Sequence, residues 1–460
     1  MTEREGTPWV KGNGRAKRVR VAVGGEPLVS SAGGSMLVET ARATGLVKGL
    51  SKALAPWRPA RAEHDPGKVV LDLAVAIALG GDCLADLAVV RAQSELFGAV
   101  ASDPTVSRLV ERLAGDADAA VRAIRMARAD ARARGWSHRS PVPATGRVVV
   151  DLDATLVTAH SEKEGATPTF KRGFGFHPLF AFVDHGRDGT GEPLAGMLRE
   201  GRAGANTAAD QIAVLDAALA QLPDGERCRV LVRGDTASGV HAFVEHVVAL
   251  ELEFSVGIYA HGVFIDTVLS LPEQCWKPAV DLDGEPRDGA HVAELTRWLP
   301  ALENPWPAGT RFIARREEPH PGAQLRLTDI EGRRITLFAT NTRGGRICDL
   351  ELRHRMRARA EDRVRILKDC GLRNLPLHEF TKNTIWLELV QLAAELLAWT
   401  QTLAFPASIA RFWEPKRLRL RLLHVAGRLL TTGRREWLRL PRGWPWNDLL
   451  ITGHATLHAL

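Results

Sequence analysis

Two runs of β-branched residues, each closing on an aspartate, constrain this chain more than anything else in it. They are "VVVDLD" at Val148–Asp153 and "RVLVRGD" at Arg229–Asp235. Val-rich runs of this length form buried strands. Between them, "NTAADQIAVLDAALAQLP" reads as a helix opened by Asn206, with Ile212, Leu215, Leu219 and Leu222 along one face. "HPLFAFVDHG" and "PLAGMLREG" supply two more strands that pair through turns, and a helix near His241–Leu250 follows the second aspartate. Strands alternating with helices predict an α/β sheet.

Carboxylates at strand ends are chemistry rather than core. Residues i and i+2 of a strand point the same way, so Asp151 and Asp153 share a face. Ligands of open α/β sheets collect at the carboxyl ends of the strands, where Asp235 also stands. Carboxylates converging there repel one another unless a cation lies between them, and hard oxygen ligands suit Mg²⁺ or Mn²⁺. The alternative is that each aspartate is a solvated strand-end cap.

The remaining sections are read more coarsely. Residues 1–40 form a flexible basic tail, with "KGNGRAKRVR" at Lys11–Arg20 and no apolar stretch after it of the kind a secretory signal needs. Residues 41–140 read as a helical region for DNA and partner contacts. "VVLDLAVAIALGGDCLADLAVV", broken at Gly80-Gly81, and "SDPTVSRLVERLAGD", with Asp103 as cap and Pro104 next, suggest a helix-turn-helix; plain helix packing is the alternative. Residues 146–252 are the first part of the core. Residues 253–345 form a β-rich insertion built on "EFSVGIY", "RFIARR", "QLRLTDI" and "RRITLFATN". Residues 346–402 are the second part of the core, comprising a long charged helix at Leu350–Cys370 and an apolar helix at Thr384–Thr400. Residues 403–460 are a basic segment whose alternating "KRLRLRLLHVAGRLLTTGRREWLRLPR" suggests a β-hairpin turning near Gly433. Net charge is +7, which favours an anionic partner only mildly. Five scattered cysteines without a CxxC argue against a zinc site and for a reducing, cytoplasmic setting. No apolar run has transmembrane length.

The charged helix reads "LRHRMRARAEDRVRILKDCGLR", with eight Lys/Arg against three Asp/Glu between Arg353 and Arg373. At roughly 100° per residue, Arg357, Glu361 and Lys368 fall within roughly 40° of one another, and His354 lies on the same side. A solvated salt-bridge face is one reading. A dense basic helix with one central glutamate, laid over a metal site, also fits a phosphate backbone.

Asp at a first strand end, Asp at a later strand end, a β-rich insertion, then Arg-x3-Glu-x6-Lys on a helix: this order resembles the DDE transposases of bacterial insertion sequences, over roughly residues 146–402. It is most similar to the group with the Tyr-x2-Arg-x3-Glu-x6-Lys signature, with His354 where the Tyr is expected. "DAT" at Asp153–Thr155 and "RGDTASG" at Arg233–Gly239 resemble that family's first and second catalytic strands. The resemblance implies an RNase H-like core interrupted by the β-rich insertion, with Asp153, Asp235 and Glu361 as catalytic metal ligands for Mg²⁺, or Mn²⁺ in its place. It implies Arg357, Lys368, His354 and Arg365 as DNA contacts, and Asp151 as a supporting carboxylate. In relatives an aromatic residue of the insertion stacks on a base, which makes Trp298 and Trp306 candidates. Double-stranded DNA is the implied partner, a homodimer the implied active complex, and the nucleoid the implied location.

A rival resemblance starts from the same stretch. "VVVDLDATL" also matches the nucleophile loop of haloacid-dehalogenase-type phosphatases, with Asp151 as nucleophile and Asp153 as acid/base. That family needs Gly-Asp-x3-Asp downstream, and Gly239 stands where the second acid belongs. A further alternative is a transposase-derived DNA-binding protein without catalysis, which the presence of all three carboxylates does not favour.

Overall fold

In the computed structural model, which describes residues 28–143, 146–186, 190–319, 329–330, 332–432 and 435–460, one ten-stranded mixed sheet organises the chain. Its first strand, β1 (Val148–Ala154), is the opening Val-rich run. A small three-stranded sheet follows it, made by β2 (Val157–Thr158), β3 (Thr167–Pro168) and β4 (Phe174–Phe176), in the order β2-β4-β3. Then β5 (Leu179–Asp184) and β6 (Gly191–Met197) run antiparallel to each other, and β5 runs antiparallel to β1. On the other side of β1 lies β7 (Val230–Gly234), parallel to it, and then β8 (Glu253–Ile258), parallel to β7.

The sheet does not stop there. The strands of the expected insertion, β9 (Lys277–Val280), β10 (Pro286–Glu294), β11 (Arg311–Glu317), β12 (Asp329–Ile330) and β13 (Arg333–Thr340), extend it by antiparallel pairing, with β13 on the edge of β8. The full order is β6-β5-β1-β7-β8-β13-β11-β10-β9, with β12 on β13. Most of "QLRLTDI" lies outside the described residues; its last two residues form β12. The sequence reading missed β9 and β10. Proline, glycine and charged residues in "PRDGAHVAE" hide the strand signal, and pairing with β11 on one side and β9 on the other, with a register shift between Pro286 and His291, makes it a strand.

Among the described residues, seven α-helices precede the sheet: α1 (Ser35–Ala43), α2 (Leu46–Ala53), α3 (Pro66–Ala78), α4 (Leu87–Arg91), α5 (Ser94–Phe97), α6 (Asp103–Ala114) and α7 (Ala117–His138). The expected tail end at residue 40 falls inside α1, because Met36, Leu37 and Ala41 are core residues. Helix α3 is buried and packs on α2, and the Pro104 helix of the helix-turn-helix expectation is α6, separated from α3 by the short helices α4 and α5. Within the core run α8 (Ala208–Leu219), α9 (Asp224–Arg227), α10 (His241–Ala249) and α11 (Val263–Ser270). After the sheet come α12 (Ile347–Arg355), α13 (Arg359–Leu367), α14 (Phe380–Ala404), α15 (Pro415–Leu418) and α16 (Asn447–His458).

Alternation along the strands separates two cores. Val148, Val150, Leu152, Leu179, Ala181 and Val183 face one side, with α8 and α10. Phe180 and Phe182 face the other, with α14, the N-terminal helices and the C-terminal segment in one continuous cluster. The N-terminal helices are therefore built onto the sheet and α14 through a common core. Ions are buried with them: Arg128 and Arg132 of α7 pair with Glu388 and Glu395 of α14, and Arg132 also pairs with Glu192 of β6 at 2.7 Å. Trp136, Trp399 and His185 donate to or contact the same Glu192 carboxyl. Burial works against that charge, but the His185 contact and the Arg132 charge outweigh it and hold the group at about 2.

Two readings of the later chain are corrected. The charged helix is broken: a 3₁₀ turn at Met356–Ala358 separates α12 from α13, and non-helical Cys370 and Gly371 end the run. The hairpin is shorter than its alternation suggested. Only β14 (Arg428–Thr432) and β15 (Arg435–Arg439) pair, and Gly433 lies outside the described residues. Residues 415–423 are helical instead, because Pro415 opens a helical turn and Leu418 and Leu422 fall one turn apart into the core.

Candidate active site

Strand register builds the site. Asp151 of β1 is directly opposite Arg233 of the parallel strand β7. Asp153 and Asp235 each lie two residues further on, so both emerge side by side from the same ends of neighbouring strands. Asp235 caps the turn that follows, accepting from the Ala237 amide at 3.0 Å. Gly257 of β8 lets this turn lie close: a Cβ there would meet the Thr236 amide nitrogen at 2.7 Å.

The broken helix lies across the sheet face on which Asp151 and Asp153 stand. Helix α12 covers β9, β10 and β11, and α13 covers β1, β5 and β6. The tight turn between them carries Arg357 to the ends of β1 and β7. Burial pushes the Asp153 carboxyl up to about 7; the Arg357 guanidinium opposes this, and the neighbouring Asp235 and Glu361 carboxylates reinforce it. Asp153, Asp235, Glu361 and Arg357 are thus electrostatic neighbours. Lys368 completes the group: burial lowers its ammonium, the positive Arg373 and Lys171 add to this, and Asp153 opposes it. Glu361 is exposed, and Asp153, Asp235, Arg357 and Lys368 are half-buried.

Beneath Asp153 lies a buried lattice of charge that fastens the helix to the strands. Arg233 binds both oxygens of Asp151, at 2.6 and 2.7 Å, and reaches Asp184 of β5 at 2.9 Å. Its third nitrogen donates to the Arg353 carbonyl of α12 at 2.8 Å. Arg359 and Arg363 of α13 each approach Asp184 at 3.5 Å. Burial works against the Arg233 charge, but Asp151 and Asp184 outweigh it and hold the guanidinium above its ordinary range. This arrangement counts against the phosphatase reading, because Asp151 is 2% exposed and held by Arg233 below the strand ends, out of reach of a substrate phosphorus.

The structure does not bring every expected residue here. His354 is buried, its ring stacked on Phe338 at 4.4 Å and its Nδ1 bonded to the Ser255 hydroxyl at 3.0 Å. It lies one turn from Leu350, which clusters with Ile313 and Phe338, so this turn faces the sheet and His354 is no phosphate donor. Arg365 turns outward to Asp362 and Glu414. Trp298 stands exposed on the β10–β11 connection, four strands from β7, and Trp306 packs on His241 and Phe312. Sequence reading missed Arg233, although its position two residues before Asp235 on one strand face was the available signal. It also missed His177, buried beside Arg199 and felt by Asp235.

The donor set at the strand ends fits Mg²⁺ or Mn²⁺: three carboxylates, all hard oxygens, two of them raising the third by like charge. Among the described residues, the group with ligand atoms all within 4.8 Å is a different one, Asp82, Cys83 and Asp86. There Asp86 accepts from the Asp82 and Cys83 amides, which is local turn capping. The ligand atoms of Asp153, Asp235 and Glu361 are not all within 4.8 Å of one another.

The sequence of residues 11–460 matches the family described as Transposase DDE domain, group 1. The chain belongs to the DDE transposase family. No curated protein matches it. Among solved structures, this DDE transposase chain is similar to the piggyBac transposase in its synaptic complex with hairpin DNA, at 10% identity over 85% of this chain and 79% of that one, with a TM-score of 0.40. Among the described residues of this transposase, no helix is long and apolar enough to cross a membrane.

Proposed function

We propose that this transposase cuts DNA at the ends of a bacterial insertion sequence and joins the 3′-OH ends to target DNA, using Asp153, Asp235 and Glu361 in an RNase H-like core. One observation carries the reading: the three carboxylates belong to two neighbouring parallel strands and the helix laid over them, yet meet as electrostatic neighbours with Arg357 and Lys368 beside them. The strand order β6-β5-β1-β7-β8, antiparallel then parallel about β1, supports the RNase H-like assignment.

The chain's own residues supply binding and orientation. Asp153, Asp235 and Glu361 would hold Mg²⁺, with Mn²⁺ as substitute. A bound divalent cation supplies Lewis-acid activation of the attacking oxygen and neutralises charge on the leaving oxygen. Arg357 and Lys368 place the scissile phosphate by charge-assisted hydrogen bonds. The Asp151–Arg233–Asp184 lattice holds α13 so that Glu361 meets the strand ends. In the N-terminal region, Arg61, His64, Arg108 and Arg112 line one groove beside α6, the feature there that best suits a phosphate backbone. The active complex pairs two chains with two DNA ends, near the nucleoid.

The test is a purified chain, Mg²⁺ and a supercoiled plasmid carrying the DNA that flanks this gene. Cleavage at the flanking inverted repeats, with 3′-OH ends joined to a second plasmid, is the expected result. Binding without any strand cleavage would overturn the reading.

A further inference from the structure

The small sheet after β1 has no part in the site described so far, yet it ends next to it. Strand β4 pairs with β2, only a few residues past Asp153 (Val157 opposite Phe176), and with β3 (Pro168 opposite Phe174). The β3–β4 turn at Thr169–Gly173 is well built. The Thr169 amide donates to the Gly173 carbonyl at 2.8 Å, the Gly173 amide to the Thr169 hydroxyl at 3.1 Å, and the Arg172 amide to the Thr169 carbonyl at 3.0 Å. Arg172 sits at φ +60°, a left-handed conformation that non-glycine residues adopt at some cost.

What this fixed turn presents is an exposed aromatic ring among cations. Phe170 is 68% exposed, the Lys171 ammonium lies 5.7 Å from its ring centre, and Phe174 is exposed beside it. The ring stands 5.5 Å from that of His177. Lys171 is an electrostatic neighbour of both Lys368 and His177, and Asp235 of His177. A large apolar ring held out into water on a rigid turn, flanked by Lys171 and Arg172 and continuous with the catalytic cations, suits a partner with a flat π-face and a negative backbone.

We propose that the Thr169–Gly173 turn docks the DNA strand beside the scissile phosphate, with Phe170 stacked on an unpaired nucleobase and Lys171 and Arg172 on the adjoining phosphates. The proposal rests on the DNA-cleaving reading of the neighbouring carboxylates. Phe170 is mostly exposed and lies at a turn tip, so its removal should leave the fold largely in place, and the folded state of the variant is checked by its melting temperature before binding is compared.

The experiment compares element-end duplexes that are fully paired with ones left unpaired for a few nucleotides at the cleavage point, using full-length protein with Ca²⁺ in place of Mg²⁺. Wild type is expected to favour the unpaired form by about tenfold, within the range for stacking of one base. Phe170→Ala should erase that preference, Phe170→Trp should keep it, and Lys171→Ala should weaken both forms equally and flatten the salt dependence. Equal preference in wild type and Phe170→Ala would overturn the proposal while leaving the transposase reading standing. So would loss of self-association in Phe170→Ala by sedimentation with DNA affinity unchanged, which would make the tip a contact between copies. Failure of wild type to bind either DNA would instead sink the reading on which the proposal rests.

Discussion

Arg233 grips both oxygens of Asp151 below the strand ends, so two aspartates that share one strand face have unlike fates: Asp151 is spent in a buried ion pair and Asp153 stays outside it, beside Asp235 and Glu361. Removing one partner of such a pair strands the other charge. Asp151→Asn is expected to cost on the order of 3 kcal/mol of folding stability, read from urea midpoints. Asp153→Asn is expected to cost none. Equal stability losses in the two variants would contradict the division of roles.

The raised Asp153 carboxyl makes a pH prediction with a definite sign. Its folded value of about 7 lies above the ordinary 3.8, so the folded state holds a proton that the unfolded state has released. Stability from this group therefore falls as pH rises from about 4 to about 7. Without divalent cation, Asp153→Asn should melt higher than wild type at pH 7.5, and the gap should close at pH 4. Since ligands must be deprotonated, Mg²⁺-induced stabilisation should also weaken below pH 7 in wild type. A pH-independent gap between the two proteins would refute the assignment.

Glu192 gives the opposite sign. Its folded value of about 2 lies below the ordinary 4.5, so its stabilisation is complete above about 4.5 and is lost as pH falls through 2. Glu192→Gln leaves Arg132 buried without this partner, and should destabilise by about 3–5 kcal/mol at neutral pH. Because α7, β6 and α14 meet at this network, the N-terminal helices should unfold together with the core in one transition. Separate transitions for the two parts, seen by calorimetry, would contradict the shared core.

On the proposed reading, Arg357 and Lys368 act on phosphate through charge. Arg357→Ala or Lys368→Ala should weaken DNA binding more at low salt than at high, lowering the slope of log K against log salt by about one. His354→Ala should leave that slope unchanged and instead lower stability, since its ring is packed on Phe338.

The placement of the strand-end aspartates was legible because period-two alternation is local: it put Asp151 and Asp153 on one face without knowledge of any partner. Helical spacing suggested that Arg357, Glu361 and Lys368 share a side, and the structure makes them electrostatic neighbours of Asp153 although Arg357 lies in the 3₁₀ turn. His354 was misplaced because α12, ahead of the 3₁₀ turn at Met356–Ala358, lies on the extended sheet, and Arg365 because its partners Asp362 and Glu414 hold it outward, facts fixed by tertiary packing. The joining of the N-terminal helices to the core was hidden for the same reason. It depends on Arg128 and Arg132 finding Glu388, Glu395 and Glu192 across long sequence separations. The helical start of "KRLRLRLLHV" was misread because two-residue alternation of Arg and Leu also satisfies a one-turn Leu418–Leu422 spacing.

The most direct test of the central claim is strand cleavage at the gene's flanking ends in Mg²⁺ by wild type, Asp153→Asn, Asp235→Asn and Glu361→Gln, with DNA affinity measured alongside. Each substitution is expected to cut the cleavage rate by at least about a thousandfold while changing affinity little, the pattern of lost transition-state stabilisation. A wild-type cleavage rate in any one of the three would contradict the account.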